Sequence, residues 1–166
     1  MLYWSNSMTS QNRVTQFLDS EHIHYSVVPH SHSKSSLSSA ISAEVPMHRI
    51  AKAVMLEDHE GKHLMAIVPA DYKVDLRLLS NELNRELKLA KEAQVYQMFA
   101  DCDSGAIPPL PGAYHLDAVY DEQLTQEQEL FLESGDHETL IQLNRNDFIR
   151  LMGASKHARF SHQVFH

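Results

Sequence analysis

A chain of 166 residues, 43% of them apolar, is long enough to bury a core without disulfides or a structural metal, and its one cysteine, Cys102, excludes an intramolecular disulfide and a cysteine-rich zinc site. A net charge of −8 opposes nonspecific attachment to long nucleic acid, whose affinity comes mostly from neutralised phosphates, so any nucleic-acid footprint should be small. The start MLYWSNSMTSQNR has no basic segment followed by a long apolar run, and the longest apolar stretch, Leu64 to Ala70, is too short to cross a bilayer; a cytoplasmic location is expected.

In chain order, SQNRVTQFLDSEHI places Val14, Phe17 and Leu18 at i, i+3 and i+4, the stripe of a first helix, with Ser10 as a candidate cap. HYSVVPH reads as a short strand entering the polar loop SHSKSS. SSLSSAISAEV is helix-compatible, opening near Ser35 or Ser36 and closed by Pro46. RIAKAVMLEDHEGKHLMAIVPA is a hairpin: two nearly continuous apolar runs, Ala51 to Leu56 and His63 to Val68, flank the polar turn EDHEG, which predicts strands buried on both faces. VDLRLLSNELN carries helical spacing, and KEAQVYQMFA reads as a second helix after it. HLDAVYD, ELFLES and ETLIQL are three further strand candidates, and NRNDFIRLMGA is a helix capped by Asn144 or Asn146. No repeat or linker interrupts the order, which predicts one α/β domain around a mixed sheet.

The stretch Gly105 to Gly112 packs two of the five glycines and three of the six prolines into eight residues. Such a segment neither continues a helix nor enters a central strand; it makes a rigid loop, which either turns a corner or aims backbone N–H groups at a carbonyl or phosphate oxygen. Lys52 stands at the start of a strand that otherwise reads as buried, where a lysine needs a partner or a route for its ammonium to water. His137, two residues after Gly135 at the entrance to a strand, is either an exposed turn histidine or one that positions an amine, carbonyl or water. The pairs His22/His24 and His30/His32 have the spacing of two ligands on one strand face, but no motif completes a metal site. Asp101, Asp103 and Asp121 read as solvated loop acids, and Cys102 as an ordinary loop thiol.

Together the blocks HSHSKSSLSSAISAEVP with RIAKAVML, HLMAIVPADYKVDL, DCDSGAIPPLPGAYHLDAVYDEQL and SGDHETLIQLNRNDFIRL resemble the YbaK family, aminoacyl-tRNA deacylases related to the editing insertion of bacterial prolyl-tRNA synthetase. The resemblance runs from His30 to Leu151, in block order; residues 1–29 and 152–166 lie outside it, in what is expected to be a single editing domain over 1–166. It implies a mixed, partly curled sheet surrounded by helices, and hydrolysis of the ester that joins a wrongly attached amino acid to the terminal adenosine of tRNA. GAIPP fits the family's G-x-x-x-P loop with Gly105 and Pro109, Lys52 fits its strand lysine, and His137 fits the histidine of the proline-editing members. Lys52, Gly105 and His137 are thus the expected catalytic residues, and His30, Ala106, Ile107, Pro108 and Pro109 the expected substrate-binding ones. The implied partner is the 3′ acceptor end of an aminoacyl-tRNA, with a synthetase as a second candidate partner; no cofactor, metal or membrane is implied. The leading expectation is trans editing of alanyl- or cysteinyl-tRNA for proline. A noncatalytic module that keeps the fold and senses an aminoacyl or nucleotide ligand is the competing reading, and a metal-dependent hydrolase using the histidine pairs is the third.

Overall fold

The sheet is organised by the hairpin of β2 (Ile50–Asp58) and β3 (His63–Pro69), paired antiparallel in a register that sets Lys52 opposite Val68. The computed structural model describes residues 10–29 and 45–164, so His30 and nearly all of the helix expected over SSLSSAISAEV lie outside the described residues. In strand order the main sheet runs β1 (Ser26–Pro29), β8 (Thr139–Asn144), β7 (Glu129–Glu133), β2, β3, β6 (Asp117–Asp121), β9 (Lys156–Ala158), with β5 (Leu87–Leu89) pairing β2 off this path. β2/β7, β3/β6 and β6/β9 are parallel and the other pairs antiparallel, which makes the sheet mixed. A second, two-stranded ribbon joins β4 (Tyr72–Val74) to β10 (Ser161–Gln163).

Four α-helices are described: α1 (Ser10–Ser20), α2 (Leu76–Leu83), α3 (Glu92–Met98) and α4 (Arg145–Met152). Two start on a side-chain cap, since Asp75 accepts from the N–H of Leu78 and Asn144 from that of Asp147, satisfying donors that the first turn leaves open. Between the two candidate caps the sequence offered for α4, the structure uses Asn144.

Both faces of the hairpin are covered, as its continuous apolar pattern predicts. Ala51 and Met55 of β2, with Met65 and Ile67 of β3, pack under Val14 and Leu18 of α1 and Phe148 of α4. The alternate positions, Leu56, Leu64, Ala66 and Val68, pack against Leu79 of α2 and Phe160, which stands between β9 and β10. Lys52 shares this second face and stands where the sheet opens: β3 lies on one side of it, while on the other β7 pairs β2 only up to the preceding residue.

Candidate functional site

The site lies at a gap in the sheet. β7 leaves β2 after the pair Ala51↔Leu132, and β5 joins β2 only at Leu56↔Leu89, so residues 52–55 of β2 have a strand neighbour on the β3 side alone. A cavity of about 300 Å³ fills the gap. Val54 and Met55 line it from β2, Leu89 and Ala90 from the end of β5, Val95, Tyr96 and Phe99 from α3 and the residue after it, and Cys102 to Gly105 with Ile107 from the glycine–proline loop. The lining is mainly apolar with a few polar groups, the ordinary character of a small-ligand site.

The loop is rigid for reasons that can be named bond by bond. Gly105 sits at φ +79°, a left-handed conformation open to glycine without strain. The Ala106 N–H closes a turn on the Asp103 carbonyl (3.0 Å), and Leu110, fully buried, closes another on Pro108 (2.8 Å). Beyond it the chain passes so near α1 that a Cβ on Gly112 would lie 2.6 Å from the Phe17 ring. Among the described residues no acceptor meets the N–H of Gly105 or of Ile107, and both residues line the cavity. The loop therefore offers two backbone donors at the cavity wall.

The turn between β7 and β8 clamps the loop from the other side. The Asp103 N–H donates to the Gly135 carbonyl (2.8 Å), and the His137 ring reaches the Ser104 carbonyl through Nε2 at 2.6 Å; because a carbonyl only accepts, that nitrogen carries the hydrogen. His137 is 3% exposed and sits at φ +57°. Its backbone N–H, with those of Ser134 and Gly135, points at Oε1 of Glu133 (3.2, 3.2 and 3.4 Å), and its Nδ1 lies 3.8 Å from Oε2 of the same carboxylate. Burial raises the pKa of Glu133, while the attraction of His137 and the backbone N–H groups oppose the rise. The sequence alternatives for His137 were an exposed turn histidine or a residue meeting substrate; the structure places its ring inward, on the loop carbonyl next to Gly105.

Lys52 stands at the lip of the gap, one residue past the last β7 pair, half-buried on the same strand face as the cavity residue Val54. Burial lowers its pKa, and the negative charge of Asp71 partly restores it. Asp71 follows the β3 end, is 8% exposed, and leaves one buried carboxylate oxygen without a hydrogen bond among the described residues; the other accepts from the Gln163 amide at 3.0 Å.

Of the expected residues, Gly105 and Ile107 line the cavity and His137 locks the loop that carries them. Ala106, Pro108 and Pro109 are buried behind the loop, outside the cavity lining, where they fix its path. Two of the three acids expected in solvent are not there. Asp101 pairs with Arg13 of α1 (2.9 Å) and accepts from Tyr114, while Asp121, 2% exposed, accepts from Gln123, Phe160 and Ser161. Each carboxylate has buried donors to satisfy, and that requirement outweighs its preference for water. Cys102, read from sequence as an ordinary thiol, lies in the wall with its sulfur 3.2 Å from the Tyr114 hydroxyl. A larger, more polar cleft of about 670 Å³ between α1, β6 and α4 contains none of the expected site residues. No group of three metal-ligating side chains is assembled among the described residues.

The class of the chain is known: the family model for the aminoacyl-tRNA editing domain matches residues 29–151, and the chain is a member of that family. The same fold recurs in solved structures. A protein described only as hypothetical covers 90% of this chain and 99% of its own at 16% identity and TM-score 0.79. A protein provisionally described as a trans-editing enzyme for prolyl tRNA synthetase covers 94% and 99% at 20% identity and TM-score 0.76. A third, provisionally described as a signal transduction protein from Marinobacter aquaeolei VT8, matches 90% of this chain over 30% of its own length at 21% identity and TM-score 0.73. A search of curated proteins found no match to the sequence. No helix among the described residues is long and apolar enough to cross a membrane.

Proposed function

We propose that the protein is a trans-editing hydrolase that releases a wrongly attached amino acid from the 3′ end of tRNA, with alanyl- or cysteinyl-tRNA for proline as its substrate. The observation that carries this reading is the pair of N–H groups, Gly105 and Ile107, that no acceptor meets among the described residues, on a braced loop in a cavity of about 300 Å³. An aminoacyl ester is already activated, so its hydrolysis needs a held carbonyl and an entering water more than a covalent nucleophile. Water adds to the ester carbon, the negative charge that develops on the carbonyl oxygen is met by the two N–H groups, and the C–O bond to the ribose breaks to give free amino acid and a tRNA hydroxyl. Lys52 contributes a point charge for a phosphate or ribose of the acceptor end. His137, through the Ser104 carbonyl, holds the loop in the orientation that presents Gly105; it acts as a positioning residue.

A small cavity also suits the task, since a second site that admits only smaller amino acids corrects what a synthetase pocket cannot reject. The net charge of −8 is compatible with a partner held only at its terminus, and the site of action is the cytoplasm, where a synthetase supplies the mischarged tRNA. Deacylation of alanyl-, cysteinyl- and seryl-tRNA by wild type, Lys52→Ala and His137→Ala tests the reading. Selective release by wild type, reduced about a hundredfold or more in the folded variants, is expected on the scale of lost oxyanion donors or positioning. Release at the spontaneous rate for every ester would instead leave a noncatalytic module that senses the acceptor end.

A further inference from the structure

The cavity mouth carries two large apolar side chains that the hydrolytic reading does not use. Tyr96 of α3 is 50% exposed and Leu89 of β5 is 62% exposed, and both line the cavity whose wall includes Gly105. Tyr96 is held at both ends. Its neighbours Val95 and Phe99 pack into the main core and fix the helix beneath it, and its hydroxyl lies 2.7 Å from Oγ of Ser104, the residue just before Gly105. An aromatic ring kept half in water yet tethered to the loop that would hold the reacting carbonyl is placed to meet whatever extends outward from that carbonyl.

We propose that Tyr96, with Leu89 beside it at the rim, is the stacking surface for the terminal adenine of the acceptor end, and so fixes the ribose ester over the loop. The inference takes its ligand from the proposed function. With the ester carbonyl at Gly105, a cavity of about 300 Å³ takes up the amino acid and ribose and leaves the base at the mouth, where these two side chains stand. Stacking tolerates any base because every base has a π face, and that tolerance has no penalty where the terminal nucleotide is invariably adenosine. It also supplies affinity without phosphate neutralisation, as a chain of net charge −8 requires. The Ser104 bond ties the ring to the residue that precedes the first oxyanion donor.

Two short RNA probes test this by equilibrium binding, each ending in the acceptor sequence and carrying alanine in a non-hydrolysable amide on the terminal ribose, one with the terminal adenine and one abasic there. Wild type should bind the adenine probe about tenfold more tightly than the abasic one. Tyr96→Ala should abolish that difference, so that the two probes bind the variant equally. Tyr96→Phe, which keeps the ring and loses the Ser104 bond, should retain it. Equal wild-type binding of the two probes, binding of neither, or a preference that survives Tyr96→Ala overturns the proposal. So does an equal loss on both probes in Tyr96→Ala and Tyr96→Phe, the pattern of a tyrosine that only braces the loop. Adenine-dependent binding without any deacylation would sink the hydrolase reading and leave this one standing.

Discussion

At the scale of single residues, Lys52 is shaped by two opposed effects. Its ammonium is partly withdrawn from water, which favours the neutral amine, and the charge of Asp71 favours the ammonium. The net direction is downward, so Lys52 loses its charge at a lower pH than an ordinary lysine. If that charge captures the acceptor end, the catalysed rate, after subtraction of spontaneous ester hydrolysis, falls on the alkaline side below the usual lysine range. Asp71→Asn removes the group that restores the ammonium and moves the alkaline limb to still lower pH. A pH–rate profile of wild type and Asp71→Asn checks this; coincident limbs would separate Asp71 from the lysine. The substitution keeps the amide-bonded oxygen toward Gln163, so the loss is one of charge more than of packing.

At the scale of elements, the caps and the loop braces divide what sequence patterns can and cannot disclose. Asn144 accepts from the Asp147 N–H at 2.8 Å, and Asn144→Ala should cost about 1 kcal/mol, seen as a fall in Tm of roughly 2–4 °C. α1 was legible from its i, i+3, i+4 stripe, that helix from its cap, and the β2–β3 hairpin from two continuous apolar runs about a polar turn, each of them a local signal. The three-residue strands β4, β5, β9 and β10 were not: YKV, LKL, KHA and SHQ are too short to show alternation, and their pairing is set by neighbours distant in the chain. The site divides the same way. Composition alone marks Gly105 to Gly112 as a rigid loop, whereas nothing in KEAQVYQMFA singles out Tyr96 until the fold brings Ser104 to its hydroxyl. The inward turn of His137 depends on a carbonyl 33 residues away, which no local spacing encodes. Arg13 shows a similar dependence: it pairs with Asp101 at 2.9 Å and lies 4.6 Å over the Tyr114 ring, tying α1 to the loop wall. Tyr114→Phe removes a hydroxyl shared between Asp101 and Cys102 and should cost about 1 kcal/mol, measured by denaturant unfolding, with Arg13 still paired.

For the whole molecule, the segment after α4 closes the fold. β9 extends the sheet beyond β6, β10 pairs β4, and between them Phe160, with no exposed surface, fills the face formed by Leu56, Leu64, Val68 and Leu79. Its N–H donates to Asp121 at 3.0 Å and its carbonyl accepts from Asp75 at 2.8 Å, so one residue joins the end of β6 to the cap of α2. The same segment reaches the site, because Gln163 and the N–H of Val164 hold Asp71 (3.0 and 2.8 Å), the residue whose charge favours the Lys52 ammonium. Stability and function therefore diverge along it. Phe160→Ala leaves a void among side chains that cannot fully collapse and should cost about 3–5 kcal/mol, a fall in Tm of roughly 6–20 °C at 2–4 °C per kcal/mol. Gln163→Ala removes only one partner of Asp71 at the end of a short ribbon, and its Tm should stay within about 4 °C of wild type, since a single partly exposed hydrogen bond is worth about 1 kcal/mol or less. If the segment acts on Lys52 through Asp71, Gln163→Ala nevertheless alters the alkaline limb of deacylation. Thermal unfolding and pH–rate profiles of the two variants decide the matter: an unchanged limb in Gln163→Ala would confine the segment to closing the sheet.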